Sequence, residues 1–75
     1  DLDPLFEEAG RFIIQGETAS TSSLQRRYEI GYNRAARIMD QMEKAGIVGP
    51  STGGKPRRIL ITPMEVDSLF HNFNP

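Results

Sequence analysis

A chain of 75 residues with no cysteine and a formal net charge of −1 has room for one small core, and no disulfide or thiolate metal site to supplement it. No apolar run is long enough to span a bilayer and no secretory signal leads the chain, so a reducing cytoplasm is the expected setting. The first residue is Asp1 rather than Met, and the expectation is a domain cut from a longer protein.

The opening residues spell a helix start. Asp3 can cap free N–H groups, and Pro4 suits a first helical position. Leu5, Ala9, Phe12, Ile13 and Gly16 then follow helical spacing, with Phe6 beside the stripe, which predicts a helix over residues 4–16. Residues 17–21 have room for a minimal strand. Ser22 and Gln25 are spaced as a capping box for a second helix, in which Leu24 and Tyr28 form an apolar pair while Arg26 and Arg27 project outward. Gly31 is the candidate for a left-handed turn closing that helix.

Residues 31–46 read as a strongly amphipathic third helix. Tyr32, Ala35, Ile38, Met39, Met42 and Ala45 recur at three- and four-residue steps on one face. Asn33, Arg37, Asp40 and Lys44 recur on the other. An amide can bond adenine, a guanidinium guanine, and a carboxylate the amino group of cytosine, so this polar face has the chemistry of base readout. A solvated face with an Arg37–Asp40 pair is the plainer alternative.

After Ala45-Gly46, Ile47-Val48 and Arg57-Arg58-Ile59-Leu60-Ile61 read as two strands around a turn-rich tip, with Lys55, Arg57 and Arg58 at or near it. The fold class is therefore α+β: a winged helix-turn-helix of three helices and a two-stranded β wing, with Tyr32, Ile38, Met39, Leu24, Phe12, Ile13 and Ile59 in one core. Residues 1–62 form the winged-helix domain, and 63–75 a short C-terminal helix and frayed tail. In that helix Thr62 and Glu65 have capping spacing, and Met64, Leu69 and Phe70 are set to rest on the core.

Charge is unevenly placed. Residues 1–20 hold five acids against Arg11 alone, whereas residues 22–58 hold eight Lys and Arg against Glu29, Asp40 and Glu43. A basic middle of this kind is an electrostatic footprint for phosphate even at low overall pI. Acidic helix one should lie away from any DNA. His71, the sole histidine, has no second ligand-type partner in the pattern, and no cofactor is implied.

Several runs resemble the C-terminal gamma domain of FtsK/SpoIIIE-type bacterial DNA translocases. They are Asp3-Pro4-Leu5-Phe6, Ser23-Leu24-Gln25-Arg26-Arg27, Ile30-Gly31-Tyr32-Asn33-Arg34-Ala35-Ala36-Arg37, Met42-Glu43 with Gly46-Ile47-Val48, and Gly54-Lys55-Pro56-Arg57. The resemblance implies a module that reads a short, G-rich, polar orienting sequence in duplex DNA and directs translocation during cell division. It implies base contacts from Asn33, Arg37 and Asp40, supported by Arg34. Phosphate and wing contacts would come from Ser23, Arg26, Arg27, Lys44, Lys55, Arg57 and Arg58. Other copies of the domain on one site and a tyrosine recombinase are the further partners implied. The parent would be membrane-anchored at the septum, this domain touching no membrane. The ATPase motor would lie elsewhere: Gly53-Gly54-Lys55 lacks the spacer and ending of a phosphate-binding loop. A protein-docking winged helix and a transcription regulator are the alternatives. An enzyme is disfavoured, because no nucleophile–base set, paired-carboxylate pocket or metal cluster is legible.

Overall fold

Asp3 starts the first helix differently from a simple N-cap. Its carboxylate accepts the Leu5 N–H at 2.8 Å and its carbonyl accepts the Phe6 N–H at 2.8 Å, which closes a turn over Pro4 and Leu5. In the computed structural model, which describes residues 1–71, α1 therefore spans Phe6–Gly16. Phe6, Ala9, Gly10, Ile13 and Ile14 form its buried side. Phe6 thus belongs to the core, while Leu5 and Phe12 pack only partly against it.

The next helix, α2 (Thr21–Tyr28), is capped two residues earlier than expected. Ser20 Oγ accepts the Ser23 N–H at 3.1 Å, and the Ser23 hydroxyl donates to the Ser20 carbonyl at 2.7 Å. Ser22 is left exposed. The left-handed residue that ends α2 is Glu29, φ 52°, not Gly31, which has φ −76° and stands at the head of α3 (Tyr32–Lys44). Glu29 and Ile30 both direct their N–H groups to the Gln25 carbonyl, so the helix closes before the glycine is reached.

Ala35, Ile38, Met39 and Met42 are the buried side of α3. They join Leu24 from α2 and Ile13 and Ile14 from α1 in one cluster. Tyr32 does not. It is 63% exposed, because the tight turn from α2 leaves the first turn of α3 outside the core. The other end of α3 closes as a Schellman motif: the Ile47 N–H reaches the Met42 carbonyl at 2.9 Å and the Gly46 N–H that of Glu43 at 3.0 Å. Gly46 takes φ 81°, which a side chain would strain, and the reversal delivers Ile47 and Val48 into the core.

The expected two-stranded wing is not built of strands. Among the described residues the molecule is helical, and residues 47–60 form a loop held by isolated antiparallel bridges at Val48–Ile59 and Thr52–Lys55. Hydrogen bonds from Gly49 N–H to the Arg58 carbonyl (2.8 Å) and Leu60 N–H to the Ile47 carbonyl (2.9 Å) close its base. Pro50 and Pro56 bring no N–H to continue the ladder. Arg57 turns its own N–H to the Ala19 carbonyl at 2.7 Å, away from the opposite arm. Ile59 is consequently only partly buried. At the tip Gly53 and Gly54 have φ 69° and 84°, the paired positive values of a tight hairpin turn.

Thr62 and Glu65 make the predicted capping box, opening a 3-10 turn (Pro63–Glu65) that runs into α4 (Val66–His71). Phe70 packs into the notch left by Gly10, where a Cβ would stand 2.5 Å from its ring. It meets Phe6 edge-to-face at 5.8 Å, and Arg11 lies over its ring while bonding Asp67 at 2.7 Å. Met64, by contrast, is 94% exposed: it falls on the outer side of the 3-10 turn. Fraying is expected from His71 onward, but His71 is the last residue of α4, exposed at its end, and residues 72–75 lie outside the described residues.

The N-terminal segment is fastened to α3. Arg34 forks onto the Asp3 carboxylate with two bonds of 2.9 Å, and the Gln41 amide accepts from the Asp3 N–H (3.0 Å) and donates to the Asp1 carbonyl (3.2 Å). The Arg34 bond holds the Asp3 carboxyl below its ordinary value against the opposing effect of burial, with help from the Leu5 N–H and the nearby charge of Arg37.

Two predictions follow from this packing. Met39→Ala and Phe70→Ala each remove a fully buried side chain and should cost ~2–5 kcal/mol, seen as a lower midpoint in a circular dichroism melt. An unchanged midpoint would remove that residue from the core. Because the folded-state value of Asp3 is depressed, its contribution is present above the unfolded carboxylate range and is lost as pH falls through the folded value. Asp3→Asn should therefore melt below wild type near neutral pH, and the gap should close below about pH 4, the range in which a free Asp titrates. A gap independent of pH would contradict the ion-pair account.

Candidate nucleic-acid interface

Burying Ala35, Ile38, Met39 and Met42 decides what α3 shows to solvent. At 100° per residue, Asn33, Arg37, Asp40 and Lys44 fall on the opposite side, and all four are exposed. Among the described residues no carboxylate lies within ion-pair distance of Arg37 or Lys44, and Asn33 makes no side-chain hydrogen bond. The N-cap of α3 is Gly31, with no side-chain cap, so Asn33 is not occupied in capping.

Each flank of this stripe is tied to another part of the chain. Arg34 and Gln41 share one flank, where they grip the N-terminal segment; the side chain of Arg34 is 43% exposed and its fork is engaged by Asp3. On the other flank Glu43 and Asp40 receive Arg57, at 3.1 and 3.3 Å. Arg57 is only 13% exposed at its side chain. Of the residues expected to face DNA, Arg34 and Arg57 are thus paired inside the molecule, and Asp40 is shared between the stripe and Arg57.

The remaining basic residues are dispersed. Lys55 is exposed at the glycine tip and Arg58 on the outer arm of the loop, both without an ion-pair partner among the described residues. Arg26 is exposed on α2. Arg27 lies over the rings of Phe12 (5.8 Å) and Tyr28 (5.5 Å), with its charge at the surface. Ser23 is buried and its hydroxyl is taken by Ser20, so it is not presented to a ligand. Burial also raises the Tyr28 hydroxyl above its ordinary value, and that oxygen has no hydrogen-bond partner among the described residues.

Between the start of α2, the first turn of α3 and the loop tip lies a cleft of about 310 Å³. Ser20, Ser22, Gln25, Tyr32, Lys55 and Arg57 are among its walls. Tyr32 is thus a surface residue of the candidate interface, which its place in the apolar repeat concealed. Gln41 and Glu43 were also missed as organising residues. The available signal was position: Gln41 is seven residues from Arg34, two helical turns along one flank. Glu8 is exposed on α1, and its charge adds to the effect of burial on the Tyr28 hydroxyl at the end of α2.

No helix of the described residues is long and apolar enough to cross a membrane. The chain matches the family model of the Ftsk gamma domain over residues 1–62. It is 59% identical over 61 residues to a DNA translocase FtsK of Chlamydia trachomatis and 51% over 63 residues to one of Streptococcus agalactiae, covering 81% and 84% of this chain. It is 53% identical over 64 residues, 85% of this chain, to the DNA translocase SftA of Bacillus subtilis. These stretches make up 8%, 8% and 7% of the respective relatives. The motif-bearing runs around α2 and α3 lie inside the matched region, and on that match the chain belongs to the Ftsk gamma domain family.

Proposed function

We propose that this domain is a sequence-reading duplex-DNA module of a DNA translocase, with α3 entering the major groove. The observation that carries the reading is the unengaged stripe of Asn33, Arg37 and Lys44 on the outward side of α3. Its groups match base edges and phosphate, and helix-turn-helix modules read with the early turns of such a helix. The relatives' name, DNA translocase, supports DNA as the partner.

Asn33, Arg37 and Asp40 are the proposed base-reading set, with Arg34 supporting it from the flank. Guanine is the natural partner of Arg37 through O6 and N7, which supports a G-rich target. The glycine-tipped loop would act as the wing, bringing Lys55 and Arg58 to the backbone, while Arg26, Arg27 and Lys44 supply phosphate contacts without reading sequence. Such a module would orient a motor held in the rest of a longer chain, on the cytoplasmic side of the division site. Further copies side by side on one DNA site, and a tyrosine recombinase, are the protein partners consistent with it.

Titration of labelled duplexes tests this directly. Wild type should prefer a G-rich orienting duplex over a scrambled one. Arg37→Ala should lose ~1–3 kcal/mol of specific binding and leave scrambled-duplex binding alone, with Asn33→Ala in the same direction. Both should stay folded, since neither side chain is buried. Full preference retained by Arg37→Ala would move recognition away from α3.

A further inference from the structure

Arg57 stands near the loop tip as one more cation beside Lys55 and Arg58, yet its surroundings differ from theirs. Its guanidinium touches Glu43 at 3.1 Å and Asp40 at 3.3 Å, both on α3. Its backbone N–H bonds the Ala19 carbonyl, in the connection between α1 and α2, at 2.7 Å. One residue therefore ties the loop to two other parts of the fold. Lys55, two residues away, has no such tie to its side chain and projects from a turn of two glycines.

We infer that Arg57 is a positioning residue for DNA binding: it fixes the approach of the loop to α3 and so sets where Lys55 meets the phosphate backbone. This rests on the DNA-binding function proposed above. A guanidinium is suited to the task because its planar fork can bond two carboxylates at once, which an ammonium does with less definition. The same pairing keeps Asp40 and Glu43 from opposing an approaching phosphate with uncompensated charge. The loop has only isolated bridges of its own, so its direction depends on such outside ties. Arg57 then acts on DNA through Lys55 rather than by touching it.

Salt-dependent titration of a labelled duplex separates these roles, using wild type, Lys55→Ala, Arg57→Ala and the double variant. Each lost phosphate contact lowers the slope of log affinity against log salt by about one. Lys55→Ala should lower it by about one, Arg57→Ala should do the same, and the double variant should again lose about one rather than two. A loss of about two would overturn the inference by making Arg57 a contact in its own right, as would an Arg57→Ala protein with unchanged affinity and slope. Glu43→Gln guards against misfolding of the Arg57 variant. It removes a negative charge, so an Arg57 released to seek phosphate would bind DNA more tightly; a positioning Arg57 predicts weaker binding. A DNA-free readout accompanies these: amide exchange at residues 53–55 should quicken in Arg57→Ala and Glu43→Gln, and unchanged exchange would overturn the inference. If wild type bound no duplex at all, the proposed function would fall, and the exchange measurement would decide the positioning of the loop alone.

Discussion

Everything in this domain depends on burying one side of α3. Ala35, Ile38, Met39 and Met42 pack against α1 and α2, and in a chain of 75 residues no second core is available to hold the fold. The helix that carries the candidate recognition groups is thus also the centre of stability. Its orientation is set by packing and cannot drift without loosening the core. That rigidity favours readout, because a base contact needs its donor fixed before the ligand arrives. Two ties complete the arrangement: the N-terminal segment is fastened on one flank by Arg34 and Gln41, and the bridged loop on the other by Arg57.

Net charge says little about such a molecule because its charges are sorted. Arg11, Arg34 and Arg57 are paired with acids of the same chain, whereas Arg26, Arg27, Arg37, Lys44, Lys55 and Arg58 are exposed without ion-pair partners among the described residues. The cations available to a polyanion are therefore fewer than the sequence holds, and they lie on α2, α3 and the loop. Family membership agrees with this arrangement, and the relatives place a domain of this size within a much longer chain, about 8% of its length.

The helices were legible because periodicity reports burial directly: the spacing of Ile38, Met39 and Met42 gave both the existence of α3 and its inner side. Ends were less so. Sequence pointed to Ser22 and Gly31 as the punctuating residues, but Ser20 and Glu29 do that work, since capping depends on which backbone groups are left over and several nearby residues qualify. Tyr32 fits the apolar repeat and is still exposed, because a repeat cannot tell where the neighbouring helix stops covering it. Thr62 and Glu65 were read correctly, their reciprocal bonds being local. The pairing of Arg34 with Asp3 and of Arg57 with Glu43 was not readable: each links residues far apart in the chain, and only the folded backbone brings them together.

The central claim is that one side of this domain, the outward stripe of α3 with the loop tip, meets duplex DNA while α1 and α4 do not. Mapping backbone amide shifts by nuclear magnetic resonance during addition of a G-rich duplex tests it most directly. The account predicts the largest changes within Tyr32–Lys44 and at residues 53–58, with Phe6–Gly16 and Val66–His71 little affected. Changes centred on α1 or α4, with α3 silent, would contradict it.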